Sequence, residues 1–217
     1  VTLSPWMAKP PANGAILNAC TQCLLKQSDS KGSDESDVFN RLGPLLVLRA
    51  LPVEAWDENA NATRDIEKCL RHRMLNISGE YEDVRRVSSE LYGRMPKDFV
   101  NENLMSALES AYANGRKDSE DLSRLRSCMF SLNSALSVRG GSVLTPTSKD
   151  VLRSVSVDIL TWPASSEDAE TKKAHMGAIE TLASLVVSEI EAIVDEQKTS
   201  ASRTRATSSS LLDPVAA

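Results

Sequence analysis

Glu80-Tyr81-Glu82-Asp83-Val84-Arg85-Arg86-Val87-Ser88-Ser89-Glu90-Leu91-Tyr92-Gly93-Arg94-Met95 has the pattern of an amphipathic helix closed by a glycine. Val84, Ser88 and Tyr92 recur at four-residue intervals, so in a helix they share one face. The small Ser88 lets a partner helix come close, and Tyr92 fills the end of the interface. Arg85 points off that face, along the side where a neighbouring pair of helices would lie. Upstream, Ile66, Cys69, Leu70 and Met74 supply a matching first helix, and the break Asn76 to Gly79 joins the two. Pro96 is the stop signal.

The same period runs through most of the chain, interrupted by short breaks rich in Asp, Ser, Gly or Pro. Eight helices are predicted, at Ala15–Lys26, Asp37–Leu51, Thr63–Leu75, Tyr81–Met95, Asp98–Ala113, Ser119–Val138, Pro146–Thr161 and Ser166–Gln197. Asp37 reads as an N-cap, Pro44 as a kink, Asn114-Gly115 as a C-cap and turn, and Pro146 as a first-turn residue. The pairs start roughly 35 to 50 residues apart, the spacing of two-helix repeats. Residues 1–14 read as a flexible segment, 15–198 as a helical-repeat domain and 199–217 as a Ser/Thr-rich disordered tail.

The stretch Glu80–Met95 resembles the second helix of a HEAT repeat. In that family an acidic residue precedes a Val-Arg pair, a small residue follows one turn later, and a large apolar residue, a glycine and a further apolar residue close the helix. Val84 and Arg85 supply the pair, Ser88 the small position, Tyr92 the large one, then Gly93 and Met95. Weaker echoes lie at Ser148–Ser156 and at Phe39–Leu48, the latter with a proline kink. The resemblance implies an all-α, right-handed superhelical stack of about four helical hairpins of the HEAT or armadillo kind, one layer of which lines a concave protein-binding surface.

Composition agrees with helices. Of the 217 residues 41% are hydrophobic but only 4% aromatic, and 9 Gly and 9 Pro are too few for the turn-dense punctuation of a β sandwich. A formal net charge of −5 provides no overall positive field for nucleic acid or an anionic membrane. No stretch approaches the roughly 20 apolar residues of a membrane span. The chain begins with Val, which reads as a piece of a larger repeat protein. Cys20, Cys23, Cys69 and Cys128 sit in apolar helical stretches and suit a reducing, cytoplasmic or nuclear setting; the sequons at Asn61 and Asn76 would matter only in a secreted chain.

Little in the chain carries chemistry. Cys20-x-x-Cys23 has a metal-like spacing but no second ligand pair, and packing of both sulfurs into the core is the simpler reading. His72, between two arginines, and His175, after two lysines, read as solvated. Gly140-Gly141 lacks the Lys of a phosphate loop. The basic residues around Arg71, Arg85 and Arg86 are interleaved with carboxylates, as on a solvated face. We therefore expect no catalytic, cofactor-binding or metal-binding residues, and no nucleic-acid partner. The last predicted helix carries an apolar stripe, Ile179, Leu182, Val186, Ile190, Ile193 and Val194, with an acidic side, as a capping or docking helix would.

The expected function is a non-enzymatic scaffold or adaptor that binds other proteins, with Arg85, Arg86, Val186, Ile190 and Ile193 as candidate interaction residues. The alternative is a compact helical regulatory domain that oligomerises or docks through its C-terminal helix.

Overall fold

The computed structural model describes residues 10–27, 32, 35–115, 118–164 and 168–210, and among them every regular element is helical. Helices α1 (Pro10–Lys26) and α2 (Glu35–Arg49) form a first hairpin, followed by the short α3 (Val53–Glu58). The second hairpin is α4 (Ala60–Leu75) and α5 (Glu82–Tyr92). In the third, α6 (Lys97–Phe99) passes through a π-helical segment, Val100–Leu104, into α7 (Met105–Asn114), which packs on α8 (Ser119–Arg139). The fourth is α9 (Pro146–Leu160) and α10 (Ala169–Ser210).

Each hairpin packs on the next through its second helix: α2 on α5, α5 on α8, and α8 on α10. Among the first helices, α1 packs on α4. The sequence explains why these faces meet. In α4, Ile66, Leu70 and Met74 are fully buried at helical spacing, and in α5 so are Val84, Ser88, Leu91 and Tyr92. Leu125, Cys128, Met129, Leu132 and Ala135 continue the core along α8. Burying the large apolar ones, such as Leu70, Val84 and Leu132, contributes about 1.5–3 kcal/mol each before the entropy of ordering them is set against it. Local signals start the later helices: Asp118 accepts from the Glu120 amide at 2.8 Å, and Thr145, ahead of Pro146, accepts from the Ser148 amide at 3.1 Å.

A buried ionic cluster ties the first hairpin to the second. Glu80, 3% exposed, accepts from Arg41 Nη1 at 3.0 Å and from Arg73 Nη1 at 2.8 Å. Arg73 also donates to Gln27 at the end of α1, and Arg41 to Asp37. Burial works against the Arg41 charge, but Glu80 and Asp37 together outweigh it and raise its pKa; for Arg73 burial prevails over Glu80 and lowers it.

Several boundaries differ from expectation. Helix α1 begins at Pro10, inside the segment read as flexible, and α10 continues as helix to Ser210, past the Thr199 boundary of the expected tail. Residues 1–9 and 211–217 lie outside the described residues. Helix α3 lies between the helices expected to end at Leu51 and to begin at Thr63, where none was predicted, and it forms because Ala55 and Trp56 are drawn into the core. Helix α2 starts at Glu35, so Asp37 is not its N-cap; its carboxylate accepts from the Gly32 amide at 2.7 Å instead. Gly115 keeps a right-handed φ of −59°, and it is Gly140, at φ 71°, that takes the left-handed conformation ending α8. Cys20 is buried but Cys23 is exposed, since Leu17, Thr21 and Leu24 hold the core face of α1.

Candidate functional site

A groove of about 350 Å³ opens across α5, α8 and α10. Helical periodicity builds it from three sides. Glu82, Arg85, Arg86 and Ser89 come from α5; Ser123, Arg126, Ser127, Phe130 and Asn133 from α8; Lys173, Met176, Gly177 and Glu180 from α10. Each set follows the i, i+3, i+4, i+7 spacing that keeps side chains on one helix face. The opposite faces of α5 and α8 fill the core, so the groove-lining residues are fixed by packing behind them.

Four cationic side chains, Arg85, Arg86, Arg126 and Lys173, face two carboxylates, Glu82 and Glu180, in this lining. Arg126 and Lys173 converge on Glu170 at 2.6 and 2.7 Å. The hydrogen bond from Lys173, with the charge of Arg126 behind it, overcomes partial burial and holds the Glu170 carboxyl below its ordinary range. Arg86 makes only a loose, exposed contact with Asp83 at 3.6 Å. Arg85 Nε and Asn133 Oδ1 are buried and have no hydrogen-bond partner among the described residues. Such groups are costly to leave unsatisfied, and both border the groove. Phe130, 40% exposed, and Met176, 57% exposed, add apolar surface beside the charges. The arrangement can hold an acidic segment that also carries apolar side chains.

The structure thus brings Arg85 and Arg86 together with residues that sequence reasoning did not select, namely Arg126, Phe130, Lys173 and Met176. The only signal for the latter was the polar face of α8 and the start of α10. Val186, Ile190 and Ile193 do not line this groove. They lie further along α10, 54%, 54% and 55% exposed. Val187 and Ala183 instead border a smaller depression with Leu136 and Glu191. The apolar stripe of α10 is therefore mostly turned to solvent, and Ala174, Ala178, Thr181, Leu185 and Ser188, small apart from Leu185, face the body.

His72 is exposed, as expected, but His175 is half-buried, with Nε2 enclosed and without a hydrogen-bond partner among the described residues. In the second hairpin Glu67, 2% exposed, accepts from Tyr92 Oη at 2.7 Å and from Arg71 Nε at 2.8 Å. Burial and the Glu67 carboxylate push the Tyr92 phenol up, which suits a structural hydrogen bond. Among the described residues no three His, Cys, Asp or Glu side chains are grouped to hold a metal ion, and no helix is long and apolar enough to cross a membrane. Compared with protein-family models, with curated proteins and with solved structures, the chain matches none.

Proposed function

We propose that this chain is a non-enzymatic helical-repeat scaffold of the HEAT or armadillo kind, whose second-helix layer, α2, α5, α8 and α10, binds another protein. The observation that carries the reading is the groove across α5, α8 and α10, where cationic and apolar side chains from three successive hairpins converge on one face. In a stack of hairpins the layer of closely packed helices forms the concave, partner-facing side. The partner supplies an acidic segment with apolar anchors: carboxylates reach Arg85 and Arg86, and a large side chain packs against Phe130 and Met176.

Charge reversal tests this. Arg85→Glu with Arg86→Glu should reduce recovery of co-purifying proteins about tenfold or more, while the unfolding midpoint stays close to that of the native chain because Arg86 is exposed and the buried Nε of half-buried Arg85 has no hydrogen bond among the described residues to lose. Unchanged recovery would contradict the proposal. The second reading, a regulatory domain that associates through its last helix, draws on the exposed stripe of α10, whose residues Ile179, Val186, Ile190 and Ile193 lie outside the groove; Met176 alone belongs to both.

A further inference from the structure

Helix α10 has two opposed faces. Ala174, Ala178, Thr181, Leu185 and Ser188, small for the most part, are buried where α10 packs on α8 and α9. On the other side Met176, Ile179, Ala183, Val186, Ile190 and Ile193 advance in alternating steps of three and four residues, the heptad pattern of a coiled-coil seam. The five large members are 51% to 57% exposed. Val187 and Val194, also exposed, broaden the stripe. Residues 191–200 are exposed on every side, so α10 runs past the body; from Ser188, buried, to Ser210 that is about 33 Å of helix at the standard rise. A helix with Ile190, Ile193 and Val194 in water on all sides gains nothing from packing, which is where most helical stability in proteins comes from.

We infer that α10 pairs antiparallel with α10 of a second copy of this chain, about a two-fold axis between Ala183 and Val186. The stripe is complementary to its own reverse. Met176 meets Ile193 of the second copy, Ile179 meets Ile190, and Ala183 meets Val186; the two-fold repeats the three layers, giving six. Charge selects this direction. Lys172 and Lys173 stand at the start of the stripe and Glu191, Asp195 and Glu196 at its end. An antiparallel pair sets the basic start of one helix against the acidic end of the other, whereas a parallel pair would align the two acidic ends. In the antiparallel register Glu180 falls beside Val187 of the second copy, and Glu189, which Arg153 holds at 2.6 Å, falls beside Leu182. No like charges oppose one another along the seam. Because the body packs on the opposite face of α10, the two bodies lie on the outer sides of the helix pair, the closed, isologous arrangement of a two-fold dimer.

Sedimentation equilibrium of the full chain at tens of micromolar should show a dimer. Val186→Asp with Ile193→Asp should weaken association about 100-fold or more and leave far-UV circular dichroism of the body intact, since neither side chain is buried in one copy. A disulfide test fixes direction: in a Cys23→Ser background, Met176→Cys with Ile193→Cys should cross-link under mild oxidation and Met176→Cys alone should not. A native chain that is monomeric, a dimer that persists with both aspartates, or efficient cross-linking by Met176→Cys alone would each overturn the proposal.

Discussion

Glu80 concentrates the cost of getting one residue wrong. Its carboxylate neutralises Arg41 and Arg73, both nearly inaccessible, and also accepts from the Tyr81 amide. Glu80→Gln keeps the shape but leaves two guanidinium groups buried with Asp37 as the remaining anion in the cluster. Removing one partner of a buried ionic network costs about 3–5 kcal/mol, so the unfolding free energy obtained from urea denaturation should fall by about that much, with a correspondingly lower midpoint. Arg71→Ala, which removes an arginine 42% exposed from Glu67, should cost less than the Glu80 change. Comparable losses for the two would mean that the Glu80 cluster is open to water. The cysteines give a second residue-scale test. Cys23 is exposed, whereas full burial pushes the Cys128 thiol up to about 12. Thiolate is the reactive form, so at pH 8 a thiol reagent should label Cys23 within minutes and Cys128 only on unfolding. Rapid labelling of Cys128 in the native protein would contradict the packing of α8.

At the scale of the element, Gly93 shows how a helix end is seated. A Cβ there would lie 2.5 Å from Ser134 Cβ and 2.7 Å from the Ala135 backbone nitrogen, so α5 must shift away from α8 to admit one. Gly93→Ala should destabilise by about 1–3 kcal/mol, the usual cost of overpacking, read as a lower unfolding midpoint; an unchanged midpoint would show that the α5–α8 contact yields freely. The glycine in the Glu80–Met95 stretch was visible in the sequence, but the neighbour that requires it was not, because Ser134 is some forty residues away. The same distinction explains most of what was and was not legible. Helices whose breaks carry Pro, Gly or Asn, such as Asn76–Gly79, could be placed within a few residues. Helix α3 could not, since six residues have no periodicity to read and are held by distant contacts, the burial of Ala55 and Trp56 and the Arg139 pair with Asp57. In α10 the stripe itself was legible, but not its direction. Nothing local says that Ala178 and Leu185, and not Ile179 and Val186, turn toward the body.

For the whole molecule, the candidate groove is a product of topology. Arg85 and Arg86 could be singled out because they sit in one well-patterned helix; Arg126 and Phe130 on α8 and Lys173 and Met176 on α10 join them only when α5, α8 and α10 pack side by side. The proposed partner-binding role of that layer can be read out by site-specific photo-crosslinking in cells. A photoreactive residue in place of Phe130, in the groove, should trap a protein, and the adduct should disappear when Arg85→Glu and Arg86→Glu are added. The same residue in place of Lys68, 63% exposed on α4, should trap none. Adducts from Lys68 equal to those from Phe130, or Phe130 adducts that survive the charge reversal, would show that the groove is not the partner-binding surface.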